Sequence, residues 1–434
     1  MPDRSDKDID GFFSTARVSG REGAVELGDE SFRDYLFDHD DPAIAPWRGL
    51  DYEQFSAARQ DNDFLQQLLE DWNSLYREPF VGVTTDGIPL EGLYVLPELG
   101  TGDAALVNAA LRFLDALDTE QRDRVSYPLD APEWRAWSNP EFVVHRVGLR
   151  LEDLSDALVD AVHDVLRAAF SPEGYQRVRE AMELNGFLGE LVDLPLVMND
   201  RSYWFSMFGT PSVDQPWGFQ IFGHHLGVNF VTVGGREVIA PVFIGAEPAL
   251  SEDARRPIFD GRETLALRLA ESLTDAQRAQ AVVFDSVLDP TMPEGRLHPA
   301  DERHVAGAFR DNRVVPYEGL RVTALERGQV AMLREIVEDF HLLLAAPERA
   351  ATMAEFDAHL HETWFSWYGA TDGSQPIYFR IHSPVIIAEL DNHAGVWLSN
   401  RLPARFHVHS TLRLPNGNDY GRELLRQWRS RAEG

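Results

Sequence analysis

Histidine is the residue type whose spacing in this chain points most directly to chemistry. The chain has 14 histidines, and two of them, His407 and His409, lie two positions apart in a largely apolar run. On a β-strand, residues i and i+2 point to the same face, about 6.5–7 Å apart, so two such imidazoles can converge on one metal ion. The spacing predicts that both are metal ligands. The alternative is a half-exposed strand that carries two histidines by chance.

Two further segments place histidines in strand-like runs. His224 and His225 are adjacent, and neighbours on a regular strand point to opposite faces, so only one can reach a given site unless a bulge at Gly223 re-aims them. His382 has the opposite parity from Glu389, which places it on the other face unless the chain bends between them. We expect one metal ion to be held by His407 and His409 together with at least one of His224, His225 and His382.

Charged residues near these histidines are candidate catalytic groups. Glu389 and Asp391 each have two roles open to them: metal ligand, or outer acceptor that fixes the tautomer of a ligating histidine. In a metal-free alternative, His225 or His382 is a general base and Glu247, Glu389 or Asp391 orients it. Arg380 or Arg413 would then hold an acidic substrate through paired hydrogen bonds. We expect catalytic roles for Arg380, Glu389 and Glu247.

Composition excludes several classes of site and partner. The chain has no Cys and a single Lys, Lys7, which excludes disulfides, iron–sulfur clusters, thiolate nucleophiles and Schiff-base lysines. Its 71 acidic and 40 basic residues give a net charge of −31, which disfavours nucleic acid and anionic membrane surfaces as partners. No leader or membrane-spanning run is evident. A cytoplasmic protein with a small-molecule substrate is expected, and a homo-oligomer is a weaker expectation.

The donor set indicates which metal and which reaction to expect. Imidazoles without thiolates suit a mononuclear transition metal, with iron or copper preferred and zinc allowed, whereas magnesium and calcium prefer oxygen ligands. A redox metal predicts an oxygenase or oxidase that acts on a small organic substrate. A zinc-type hydrolase, a metal-free acid–base enzyme and a non-catalytic binding protein are the alternatives.

The elements that must position these residues change character near residue 200. Residues 51–200 have mainly helical periodicity, whereas residues 201–434 read as strands joined by turn signals such as Gly234-Gly235. This pattern predicts an α+β fold with a helical N-terminal half packed on an antiparallel or mixed sheet in the C-terminal half. We divide the chain into an acidic N-terminal extension, 1–50, and a single domain, 51–434. No internal repeat is evident.

Several segments, taken in chain order, resemble one known family. They include Gly-His-His-Leu at 223–226, Arg-Ile-His-Ser-Pro at 380–384 and His-Val-His-Ser-Thr at 407–411. Others lie at 78–87, 134–139, 241–248, 311–317 and 415–421. The chain resembles the bacterial and fungal family catalogued as domain of unknown function 3500, from about residue 55 to the end. The resemblance implies shared positions but no activity. Phe222 stands where many members have an acidic residue.

Overall fold

The structure is a computed structural model that describes residues 31–98, 100–251 and 256–432. Within these ranges it contains eleven α-helices and a sheet of twelve strands, which confirms the expected α+β class. Residues 1–30 of the expected N-terminal extension lie outside the described ranges. The rest of that extension is described, and there Phe32 and Tyr35 pack against Leu398 and Phe406. In the described part of the chain, no helix combines the length and apolarity needed to cross a bilayer.

The helices lie mainly in the N-terminal half and between the two groups of strands. Several begin with a side-chain cap. For example, the Asp51 carboxylate accepts from the Gln54 N–H, and the Gln54 side-chain oxygen accepts from the Asp51 N–H. The helices are α1 (Tyr52–Gln60), α2 (Asp63–Arg77), α3 (Ala104–Ala116), α4 (Thr119–Val125), α5 (Asp156–Ala169), α6 (Pro172–Leu191), α7 (Asp260–Glu271), α8 (Asp275–Ala281), α9 (Arg327–Phe340), α10 (Ala346–Ala358) and α11 (Arg422–Ala432).

The strands form one mixed sheet. They are β1 (Ser126–Tyr127), β2 (Leu149–Arg150), β3 (Tyr203–Phe208), β4 (Trp217–Gly223), β5 (Leu226–Val233), β6 (Arg236–Ala246), β7 (Val282–Phe284), β8 (Leu320–Arg321), β9 (Trp364–Tyr368), β10 (Tyr378–Ser383), β11 (Ile386–Asn392) and β12 (Val408–Arg413). The order is β1-β3-β4-β5-β6-β12-β11-β10-β9-β7, with β2 on β3 and β8 on β9. The β1–β3 and β7–β9 pairs are parallel, and the other pairs are antiparallel.

The strand order is symmetric about the β6–β12 pair, because the two halves of the fold repeat the same elements. Strands β1, β3, β4, β5 and β6 correspond to β7, β9, β10, β11 and β12. Elements α3 to β6 and elements α7 to β12 follow the same succession: two helices, two short strands, two helices and a four-stranded meander. The two meanders join through the antiparallel β6–β12 pair. The expectation of no internal repeat was therefore wrong.

The repeat is also present in the sequence at a constant spacing of 160 residues. Residues 203–230 and 363–390 align without a gap, and the two segments share Trp204/Trp364, Phe205/Phe365, Ser206/Ser366, Gly209/Gly369, Gln215/Gln375, Pro216/Pro376, Phe219/Phe379 and Ile221/Ile381. Gly209 and Gly369 both have positive φ, 75° and 100°, which favours glycine at that turn. The repeat is visible only when residues 203–230 are aligned with residues 363–390, because neither segment alone indicates that the chain contains a repeat.

The two faces of the sheet have different roles. Side chains alternate between faces along each strand. One face is apolar and packs against the long helices of both halves, with Val228, Val242 and Leu390 among its buried residues. The other face carries polar side chains, including Asp391 and His409, which are neighbours on β11 and β12. Helices α1 and α2 and several long loops cover it, so the polar groups of the candidate site are enclosed.

Candidate metal centre

His407 and His409 lie at the start of β12 and face each other. The Nε2 atoms of the two rings are 3.1 Å apart. The Nδ1 of His407 lies 2.7 Å from the Ala394 carbonyl oxygen, which accepts only if Nδ1 carries the proton. The Nε2 of His407 is therefore unprotonated and accepts from His409 Nε2–H, and this tautomer of His407 is the one that a metal ligand needs. With metal–nitrogen bonds of about 2.0–2.1 Å, this separation corresponds to a ligand–metal–ligand angle of about 95–100°.

His225 completes a group of three imidazoles. The donor atoms of His225, His407 and His409 all lie within 4.8 Å of one another, and the three residues are buried. The ring of His225 lies 5.5 Å from that of His407 and 5.2 Å from that of His409, centroid to centroid. The structure thus brings together three of the five histidines predicted as ligands.

His224 and His225 occupy a turn between β4 and β5 rather than a strand position. His225 has a φ of 62°, in the left-handed region, and its N–H donates to Asn139 Oδ1 at 2.9 Å. The His224 ring stacks on the His225 ring at 3.9 Å, while its Nδ1 lies 2.8 Å from Asn185 Oδ1 on α6. Both rings line the same cavity, but only His225 has its donor atom within the group formed with His407 and His409.

Gly245 of β6 provides the space in which two of these rings lie. A Cβ at this position would be 2.7 Å from His409 Cδ2 and 2.9 Å from His225 Cδ2. Both contacts are too short to be tolerated without moving a ring. The absence of a side chain at Gly245 is therefore a condition for bringing the imidazoles together.

We expect Gly245→Ala to weaken metal binding at least about tenfold and to cost about 1–3 kcal/mol of unfolding free energy, because the added methyl overpacks the centre. Metal titration and chemical unfolding measure the two effects. Gly261→Ala, on α7, is the matched control, since a Cβ there has no atom within 4 Å. Undiminished metal affinity in Gly245→Ala would contradict this reading of the site.

Burial keeps these imidazoles neutral. The pKa values of His225, His407 and His409 are lowered well below the usual 6.5, first by desolvation and then by the neighbouring imidazoles. Ligating histidines must be deprotonated. Because their pKa values are lowered, protons compete with a metal ion only at a pH well below 6.5, rather than at 6.5 as an unperturbed histidine would require.

The three imidazoles open onto a cavity of about 70 Å³. One water needs roughly 10–15 Å³ of such space, so an ion with several waters or a small organic molecule fits. The wall includes Arg59 of α1, the apolar residues Leu65, Leu68 and Trp72 of α2, and the loops at 139–142 and 299–302. Helices α1 and α2 of the N-terminal half thus form part of the cavity wall.

The carboxylates in the cavity wall already have partners. Glu141 pairs with Arg59 of α1 at 3.3 Å, and Asp301 pairs with Arg310 at 3.4 Å. Glu302 pairs with Arg303 at 2.6 Å. Each of these carboxylates is thus part of an ion pair with an arginine, and the three imidazoles face the same cavity.

His382 does not join the group. It pairs with Ile387 across the β10–β11 hairpin, so it lies on the same sheet face as Glu389; the chain turns at residues 384–385, which is the bend that the parity argument allowed for. Parity does not carry through the two-residue turn. His382 is four residues from Tyr378, which pairs with Asp391, and this places it about 13 Å along the strand from that row. Its ring packs against Tyr317 at 4.6 Å instead.

Glu389, Glu247 and Arg380 hold loops and strands in place rather than line the cavity. Glu389 accepts from the backbone N–H groups of residues 305 and 306 and from the Tyr378 hydroxyl at 2.6 Å. Glu247 accepts from the N–H groups of residues 396–398, and burial raises its pKa to about 7. Arg380 lies 3.4 Å from Glu318. None of the three is among the residues that line the cavity beside the imidazoles.

A second group of donor atoms lies beside the first; sequence reasoning named Asp391 as a candidate ligand but did not join it to His304 and His393. The donor atoms of His304, Asp391 and His393 also lie within 4.8 Å of one another. Asp391 and His393 share strand parity, which was a usable signal. His304 lies in the irregular segment between β7 and β8, where no periodicity predicts its direction.

Comparison with known proteins gives one result. The profile of the family described as "Protein of unknown function (DUF3500)" matches residues 100–422, which is most of the chain. No curated protein and no solved structure matches this chain.

Proposed function

For this chain, which belongs to the DUF3500 family, we propose a metal-dependent enzymatic function: oxidation of a small organic substrate at a transition metal bound by His225, His407 and His409. The observation that carries the proposal is the pair of imidazole Nε2 atoms 3.1 Å apart in a buried cavity. Three protein ligands leave coordination positions open for substrate or dioxygen. Iron or copper is the preferred metal, with zinc allowed.

The surroundings favour oxidation over hydrolysis. A metal-dependent hydrolase uses a general base within hydrogen-bond reach of the bound water. In the described part of the chain, the carboxylates that line the cavity are each held in an ion pair with Arg59, Arg310 or Arg303. The apolar side of the cavity, formed by residues such as Leu68 and Trp72, instead suits dioxygen and an organic substrate.

Two residues of the wall are suited to orienting a substrate. Arg59 and Glu141 form a pair 3.3 Å apart at the cavity wall, and both are largely screened from solvent. Arg59 can bind an anionic group of the substrate through two N–H donors, and Glu141 can accept from a hydroxyl or amine. The proposal therefore predicts a polar, small substrate rather than a hydrocarbon.

Metal analysis and oxygen uptake test the proposal. Protein made without a His-tag is stripped and reconstituted with Fe(II), Cu(II), Zn(II), Mn(II) or Ni(II), and then offered a panel of small phenols, hydroxy acids and amines. We expect stoichiometric iron or copper and substrate-dependent oxygen consumption that Arg59→Leu reduces. Absence of stoichiometric metal with all five ions would overturn the proposal. Zinc binding with ester hydrolysis and no oxygen uptake would establish the hydrolase instead.

A further inference from the structure

We propose that the centre is dinuclear, with a second divalent transition-metal ion bound by His304, Asp391 and His393. This inference rests on the proposed function, since it adds an ion beside the one at His225 and its partners. The three donor atoms lie within 4.8 Å of one another, and all three residues are buried. Two imidazoles and one carboxylate form a donor set typical of non-haem iron.

Two unpaired ring nitrogens are the main support for this second ion. Nδ1 of His304 lies 2.7 Å from Thr411 Oγ1, which leaves Nε2 of that ring free. The Nε2 atoms of His304 and His393 are both shielded from solvent without a hydrogen-bond partner among the described residues. A buried polar nitrogen without a partner costs free energy, and coordination to an ion would satisfy both atoms.

The third donor, the Asp391 carboxylate, lies close to these nitrogens. Asp391 Oδ2 lies 3.1 Å from His393 Nε2 but out of hydrogen-bond alignment with it, as expected for two ligands of a shared ion. The other oxygen, Oδ1, accepts from Arg303 Nε at 2.6 Å. Oδ2 also accepts from the Arg303 N–H at 3.2 Å, so Arg303 fixes the whole carboxylate and the second lone pair of Oδ2 remains for an ion beside the two imidazoles.

Local charge accommodates the added cation. Arg303 is the nearest positive group, and it is bound by two carboxylates, Glu302 and Asp391, each at 2.6 Å. The three side chains together carry one net negative charge. A divalent ion bound there meets an attractive field, whereas the first group of three neutral imidazoles supplies no charge of its own.

The two groups of ligands belong to one centre. The rings of His393 and His409 are 3.9 Å apart between centroids, and Asp391 is the cross-strand neighbour of His409. His393 also lines the same cavity as His225, His407 and His409. Paired ions about 3.5–4 Å apart are a common arrangement for activating a ligand held between them, and the shared wall places such a ligand within the cavity.

Zinc stoichiometry of the full chain tests the inference. Tag-free protein is stripped, loaded with Zn²⁺, passed over a chelating resin and analysed for metal. We expect two zinc ions per wild-type chain, one in His304→Ala, one in His225→Ala and none in the double variant. His361→Ala, at an exposed histidine, is the control and should retain two. Loading with Cu²⁺ should in addition give magnetically coupled ions by electron paramagnetic resonance, a readout that needs no variant.

The outcomes separate this inference from the proposed function. One zinc per wild-type chain, or any stoichiometry that His304→Ala leaves unchanged, overturns the second site while leaving the first. Absence of stoichiometric metal overturns both. Should His304→Ala fail to fold, as judged by circular dichroism, the wild-type copper spectrum decides, and uncoupled copper overturns the dinuclear centre.

Discussion

Replacing either histidine at the start of β12 should abolish tight metal binding at the group of three imidazoles. For His407→Ala and for His409→Ala, we expect the affinity of that site to fall by more than about 100-fold, since even outer-shell changes cost 10–100-fold. The part of the thermal stabilisation that comes from metal bound at this site should disappear in both variants, because only a bound native state gains stability by mass action. Elemental analysis and metal-dependent thermal unfolding measure the two losses.

His382→Gln is the matched control for this experiment. His382 is buried and lies on the same sheet face as His409. It packs against Tyr317, away from the centre. Its substitution should leave metal content unchanged. Loss of metal in His382→Gln, together with retention in His409→Ala, would show that the ligands are not those the geometry indicates.

The largest stability effect is expected from Arg413. Its guanidinium is fully buried, donates to Asp311 at 2.6 Å and to Asp419 at 2.9 Å, and also donates to the carbonyls of residues 306 and 307. Arg413→Leu leaves buried carboxylates with too few partners. We expect about 3–5 kcal/mol less unfolding free energy, measured by chemical denaturation.

Two further variants show whether this loss has the stated cause. Arg413→Lys keeps the charge but loses the planar set of donors, so it should recover only part of the stability. Arg426→Leu removes an exposed arginine that pairs with Glu423, and exposed pairs contribute at most about 1 kcal/mol. A loss in Arg413→Leu no larger than in Arg426→Leu would contradict a structural role and return Arg413 to the substrate-binding role considered from the sequence.

Local spacing determined which parts of the site were predictable. His407 and His409 were predictable because a strand fixes residues i and i+2 on one face, which needs no knowledge of the rest of the fold. The choice of His225 over His224 depends on a left-handed turn residue and on Asn139 from a distant loop. The exclusion of His382 depends on the register of β10 against β11, which a single strand does not encode.

The fold class was predictable for a similar reason. Helical and alternating periodicities are local, so the shift near residue 200 located the main strands. The contacts of Glu389 and Glu247 were not predictable, because their partners are backbone N–H groups of loops far away in sequence. A buried glutamate that anchors a loop and one that serves in catalysis look the same in a sequence.

The internal repeat has a consequence for how the site arose. At the spacing of 160 residues, the counterpart of His225 in the second half is Val385. The group of three imidazoles therefore has no complete equivalent on the other side of the β6–β12 pair. A symmetric pair of half-length chains would carry every substitution twice. Two repeats within one chain are free of that constraint. One repeat can acquire a candidate ligand such as His225, while the other keeps an apolar residue at the same position and both keep the shared scaffold.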